Sequence, residues 1–367
     1  MAQFSKEGGA MSGFAGLRKV AVVLFLTLLA GRMMEANGLA QNGKDTIAQT
    51  GSSSVVQLRM NSRDQEAPNS VLERRYHVLP AKTDAARSLG PVLLTPQARP
   101  ESKSIPEVSN RAGLPGPGGF YPADLSYFGG RVLTSAVHDL VYFARSDGSS
   151  WGDPVTFLTD LGASKVIHLT DQYVASKVNN RYTLGAQLTA NSGACSSPSF
   201  CSANDVLGIA HAAAVTLGGN TGYSHILHIF LPSGVDTCID QSNTQCYSPD
   251  NQSTFVFCAY HDSVTFNDTG KVLYTVEPYQ AIDECGTPDL LLNDSTNSTL
   301  SHEVFETITD PDGDGWFAGN SFTTFGFEIA DLCQSVFNND GTFVINKRSY
   351  QLQFEYSNRY HACAGAP

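Results

Sequence analysis

Eight cysteines, Cys195, Cys201, Cys238, Cys246, Cys258, Cys285, Cys333 and Cys363, all fall in the second half of this 367-residue chain. An even set confined to one region is a strong constraint on folding, because each disulfide holds two backbone points close together. No Cys-x-x-Cys occurs, which argues against the alternative of a thiolate metal site. Spacing leaves the connectivity open. The simplest pairing joins neighbours: Cys195–Cys201, Cys238–Cys246, Cys258–Cys285 and Cys333–Cys363. The first two of these pairs flank polar, turn-like loops.

Disulfides need an oxidising compartment, and the N-terminus agrees. Arg18 and Lys19 precede an apolar run over 20–30, which is short for a bilayer span and suits a signal-peptide core. Gly38, Leu39 and Ala40 offer small residues for cleavage before Gln41. A membrane anchor is the alternative. Only 16% of residues are charged, which also fits a secreted protein. Residues 1–40 are therefore expected to be a signal peptide, with no membrane attachment once it is removed.

Charge divides the chain. Residues 1–112 hold 14 Lys/Arg and 9 Asp/Glu, whereas residues 113–367 hold 9 and 26. The acidic C-terminal part argues against nucleic acid as a partner and leaves carboxylates for cations. Residues 41–112 contain one aromatic residue, Tyr76. So little apolar surface does not offset chain entropy, so 41–119 is expected to be a disordered linker or pro-segment. The Gly/Pro-rich stretch 113–119 marks the boundary, and 120–367 is expected to be one globular domain.

Within that domain, strands are expected over 129–143, at 165–168, 182–188 and 223–231, and in a hairpin formed by 254–260 and 271–276. Asn267, Asp268 and Gly270 supply the hairpin's turn chemistry. Helices are expected at 153–161, at 204–214 and from Ser298 to Thr309, where Pro311 stops the last one. Few helices and many strands imply an α+β fold with a mainly antiparallel sheet.

The chemistry concentrates between Leu300 and Cys333, where one histidine stands among seven acids. His302 and Glu306 are four apart and share a helix face, with Leu300, Val304 and Ile308 on roughly the other side. The polar side faces either solvent or a cleft. Glu303 follows the histidine directly. This is the layout of the H-E-x-x-H zinc helix with glutamate as the second ligand. His302, Glu306 and the downstream Glu328 are the candidate metal ligands, with Asp331 supporting them or joining them. Glu303 is the candidate general base. A carboxylate in place of the second imidazole lowers Lewis acidity and favours harder metals. Zn2+ is the expected ion and Ca2+ the alternative. Residues 310–315 match the first half of an EF-hand loop, although Ser321 occupies the position of its closing glutamate. His225 and His228, three apart in a strand, point to opposite faces. His261, at the end of an expected strand, reads first as a hydrogen-bonded strand-end histidine, with reach to the site as the alternative. No G-x-S-x-G elbow and no phosphate-binding glycine loop occurs.

The blocks Tyr127-Phe-Gly-Gly-Arg-Val-Leu133, Phe257-Cys-Ala-Tyr-His-Asp262, Ser301-His-Glu303, Thr309-Asp-Pro311, Trp316 and Glu328-Ile-Ala-Asp-Leu-Cys333 resemble secreted microbial relatives of the plant EXORDIUM, or phosphate-induced protein 1, family. The similarity spans most of 120–337. It implies secretion and a shared fold. It does not imply an enzyme, since the plant proteins are extracellular and growth-related and lack the His-Glu pair. The helix around His302 also resembles that of zincin metallopeptidases, without a Met-turn, because no methionine follows Met60. Two functions are carried forward: a secreted zincin-like peptidase, and a non-catalytic extracellular protein with a structural ion. The expected partner is an extracellular peptide or a cell-wall component.

Overall fold

The computed structural model of the chain describes residues 56–58, 76–85, 124–144, 148–319, 326–336 and 340–367. The expected signal peptide, most of 41–119 and the 113–119 boundary lie outside the described residues.

A seven-stranded sheet organises the molecule. Its strands are β1 (Val56–Gln57), β2 (His77–Pro80), β4 (Ala136–Phe143), β5 (Tyr182–Ala190), β7 (His225–Phe230), β10 (Phe257–Phe266) and β11 (Gly270–Glu277), in the order β1-β5-β4-β7-β11-β10-β2. Short strands β3 (Ser126–Tyr127), β6 (Phe200–Cys201), β8 (Asp236–Cys238), β9 (Cys246–Tyr247), β12 (Trp316–Phe317), β13 (Asp340–Ile345), β14 (Arg348–Gln353), β15 (Glu355–Ser357) and β16 (Ala362–Ala364) make small accessory sheets. The helices are α1 (Pro154–Gly162), α2 (Asp171–Val174), α3 (Ala203–Thr216) and α4 (Leu292–Thr309).

Helices and strands are thus mixed as expected, but the central sheet departs from antiparallel dominance. From β1 to β11 neighbours run parallel, and only the β10–β11 hairpin and the β10–β2 pair are antiparallel. The reason is burial on both faces. In β7 five of six residues are buried, so alternation is lost, as in sheets that helices cover from both sides. On one face α3 packs Val206, Ile209 and Ala213 in a core with Val141, Leu227, Ile229 and Val276. On the other, α1 and α4 pack Phe157, Leu161, Leu300, Val304 and Ile308 with Leu140, Ile226, Phe230 and Leu273.

Local signals set most boundaries. Asp153 caps α1 by accepting from Thr156 N, and Pro154 opens the helix. Ser202 and Asp205 form a capping box on α3. The turn at 267–270 joins β10 to β11 as anticipated. Residues 165–168 are not extended. They enter a 3₁₀ helix, Val166–Thr170, because Ser164 Oγ accepts from Val166 N and Ile167 N.

The linker reading of 41–119 needs correction at two places. Val56 and Gln57 pair with β5 at one edge of the sheet, and His77–Pro80 pairs with β10 at the other. Leu58, Tyr76, Val78, Leu79 and Ala81 are buried. Segment-wide composition averages away these short apolar runs, and a neighbouring strand already offers each of them a ladder of backbone partners.

All four disulfides follow the neighbour pairing: Cys195–Cys201, Cys238–Cys246, Cys258–Cys285 and Cys333–Cys363. Among the described residues no helix is long and apolar enough to cross a membrane.

Candidate metal centre

Sheet register places a polar row beneath α4. His228 of β7 lies opposite Thr275 of β11, Thr275 opposite His261 of β10, and His261 opposite His77 of β2. Directly opposed residues share a face, and Ile226 and Leu273 show that this is the α4 face. His225 points the other way, where its Nδ1 meets Asp139 2.6 Å away.

Over this row α4 lays His302, Glu303 and Glu306, with Asp310 at its C-cap. The helix is buried from Ser295 to Thr309, so its polar side meets neither bulk solvent nor an open cleft. It tolerates such burial because its hydroxyls turn inward on the backbone. Ser301, Thr307 and Thr309 donate to the carbonyls of Ser298, Glu303 and Phe305. Residues 328–331 close the cluster and are tied down by Cys333–Cys363.

Three groups result, each with ligand atoms within 4.8 Å of one another: His302, Glu306 and Asp331; His77, His261 and Glu328; and His261, Glu303 and Glu306. In the first, His302 Nε2 lies 3.1 Å from Glu306 Oε1 and 3.7 Å from Asp331 Oδ1. Asp331 N donates to Glu306 Oε1, and Glu328 N donates to Asp331 Oδ2. In the second, Glu328 reaches His77 Nδ1 through Oε1 and His261 Nε2 through Oε2, at 2.9 Å each. The two imidazoles stack at 4.7 Å. In the third, Glu306 Oε2 stands 3.7 Å from His261 Nε2.

All the anticipated residues His302, Glu303, Glu306, Glu328 and Asp331 therefore belong to one cluster, but the expected trio does not close around one point. Asp331 completes the set of His302 and Glu306, while Glu328 joins two other histidines. His261 is mid-strand and fully buried, and it belongs to the cluster. His77 was hidden in the segment read as a linker. Its only sequence signal was the apolar run around it. Glu277 and Glu355, both buried nearby, carried no motif.

Burial and mutual repulsion set the charge of the cluster. Glu277, Glu303, Glu306, Asp310, Glu328 and Glu355 are at most 1% exposed, and Asp331 has 14% of its side chain exposed. Three imidazoles face these seven carboxyl groups. Burial pushes Glu303 well above the ordinary carboxylate range, which His302 only partly offsets. Burial raises Glu277 to about 8, and burial with Glu306 raises Asp331. Burial and then Glu328 raise Asp310. Burial opposes charge on His77, yet Glu328, Asp310 and Glu306 together lift it to about 10. Burial likewise opposes charge on His302, which Glu306, Glu303 and Asp331 outweigh. Glu328 is held low against burial by His77 and His261.

His302 is the most informative member. Its Nδ1 lies 2.8 Å from Gln353 Oε1, to which an Nδ1–H donates. When the ring is neutral, that bond leaves the lone pair on Nε2, the atom facing Glu306 and Asp331. Nε2 is buried and makes no aligned hydrogen bond, and both oxygens of Glu303 are without partners. The donor set fits a divalent ion.

The 310–315 loop is not a calcium loop in the EF-hand sense. Asp310 turns inward and accepts from Gly315 N at 2.7 Å. Asp312 turns outward, accepting from Lys271 Nζ at 2.5 Å, Ser263 Oγ at 2.6 Å and the Tyr223 hydroxyl.

No family model, curated protein or solved structure matches this chain.

Proposed function

We propose that this chain is a metal-dependent hydrolase of an oxidising, extracellular compartment, with His302, Glu306 and Asp331 as ligands of a divalent ion and Glu303 as base. The observation that carries the reading is the buried Nε2 of His302, 3.1 Å from Glu306 Oε1 and 3.7 Å from Asp331 Oδ1, three ligand atoms that converge as the donors of one ion would. Imidazole with carboxylates suits Zn2+ or a first-row neighbour better than Ca2+. The ion would supply Lewis acidity and acidify a water. Glu303, whose two oxygens have no hydrogen-bond partner, would take the proton of that water. Four disulfides favour an extracellular location, and an extracellular peptide is the proposed substrate. Membership of the EXORDIUM-like group belongs to the same proposal.

One observation favours a second reading, a structural ion in a non-catalytic extracellular or cell-wall-associated protein. The cluster is closed, since its members are nearly all inaccessible, and a catalytic ion keeps an open position. One experiment separates the two. Elemental analysis of the purified protein is expected to find metal, and His302→Ala to remove it. Glu303→Gln should keep the metal yet abolish chelator-sensitive cleavage of casein or a peptide library. Metal in wild type without any such cleavage leaves the structural reading. Absence of metal, with no affinity for Zn2+ or Ca2+, overturns both.

A further inference from the structure

We infer that the cluster is built for two metal ions, the second held by His77, His261 and Glu328, with Glu306 reaching from one ion to the other. This rests on the reading of the cluster as a metal centre and adds a site to it.

The argument is geometric. The two outer sets, His302/Glu306/Asp331 and His77/His261/Glu328, share no residue. The third set takes His261 from one and Glu306 from the other and adds Glu303, so it lies between them. Glu306 spans the same gap atom by atom. Its Oε1 is the oxygen near His302 and its Oε2 the oxygen near His261, the disposition of a bridging carboxylate.

The second set is drawn from three separate elements: edge strand β2, strand β10 and the segment beginning at Glu328. His77 and His261 are register partners with stacked rings, so two imidazoles approach one carboxylate side by side. Glu328 is fully buried, and its Oε1 and Oε2 lie 2.9 Å from His77 Nδ1 and His261 Nε2, so the three side chains converge on one point. Two ions in such proximity are suited to stabilising both the attacking and the leaving oxygen of a displacement.

The test uses the full chain. Chelator-stripped wild type is loaded with Zn2+, dialysed and assayed for metal per chain. Two ions are expected in wild type, falling to one in His77→Gln and to one in His302→Ala. Because either variant can fail to fold, wild type loaded with Mn2+ is also examined by electron paramagnetic resonance. A bridged pair gives an exchange-coupled spectrum, with narrower hyperfine spacing than isolated Mn2+. One ion per chain that His302→Ala abolishes and His77→Gln leaves in place overturns the second site while sparing the proposed function. Two ions without exchange coupling and indifferent to His77→Gln also overturn it. No bound ion at all refutes the metal reading itself.

Discussion

An imidazole nitrogen facing two carboxylates must carry a proton or a metal, and His77 shows what the first option does to stability. In chelator-treated protein its pKa is lifted from 6.5 to about 10. A group whose folded pKa is raised contributes stability that is complete below the unfolded pKa and is lost as pH rises through the folded one. The contribution of His77 is therefore present in full below pH 6.5 and gone above about 10. Glu328, held low, works in the opposite sense: its contribution exists above its ordinary value of 4.5 and fades on acidification. Urea unfolding of the chelator-treated protein is expected to weaken from pH 6.5 to 10, by about 3–5 kcal/mol if the shift is fully expressed. His77→Gln should flatten that slope. Parallel profiles for wild type and variant would show that the proton on His77 is not coupled to folding.

At the scale of elements, β2 is the unexpected one. It carries a ligand candidate and covers the edge of β10, whose backbone would otherwise stand open to other chains. Tyr76, Val78 and Leu79 are buried against the sheet, and Tyr76 meets Tyr260 edge-on at 5.4 Å. Their burial contributes about 4–8 kcal/mol as an upper bound. A chain that starts at Phe120 is thus expected to unfold at markedly lower urea than the full chain, to aggregate more readily and to lose part of its bound metal. An unchanged denaturation midpoint would return the segment to the role of a tether. Helix α4 has the complementary property. Its Ser- and Thr-rich N-terminal half is buried with Ser295 bonded to Thr287 and Thr299 donating to Gln280 Oε1, and its C-terminal half carries His302, Glu303 and Glu306 over the strands.

At the scale of the molecule, the disulfides divide into two kinds. Cys195–Cys201 and Cys238–Cys246 close loops with separations of 6 and 8. Cys258–Cys285 and Cys333–Cys363 close separations of 27 and 30 and brace the histidine–carboxylate cluster, the first from β10 and the second from the 328–336 segment. Replacing Cys333 and Cys363 by Ser is expected to cost about 3–4 kcal/mol, and replacing Cys195 and Cys201 about 2 kcal/mol, on the loop-entropy scale. Only the first pair should also release metal, because Glu328 and Asp331 depend on that anchor. Thermal unfolding together with metal analysis of both double variants tests this, and equal metal retention in the two would refute the bracing role.

The sequence alone determined the features governed by near neighbours. The helix at 153–161, the turn at 267–270, the end of α4 before Pro311 and the His302–Glu306 spacing are all interactions within a few turns or a short loop. The tertiary structure decided the features that depend on register and layering. Whether the polar side of α4 faced water was settled by the strands beneath it. Glu328 and Asp331 exchanged places relative to the expected trio because their segment is positioned by packing and by Cys333–Cys363. His77 entered the cluster only because β2 pairs with β10 in a register that sets it against His261, across 184 residues of sequence. Composition and periodicity carry no information about such a pairing. The partner strand supplies the hydrogen bonds and the apolar contacts that the isolated segment lacks.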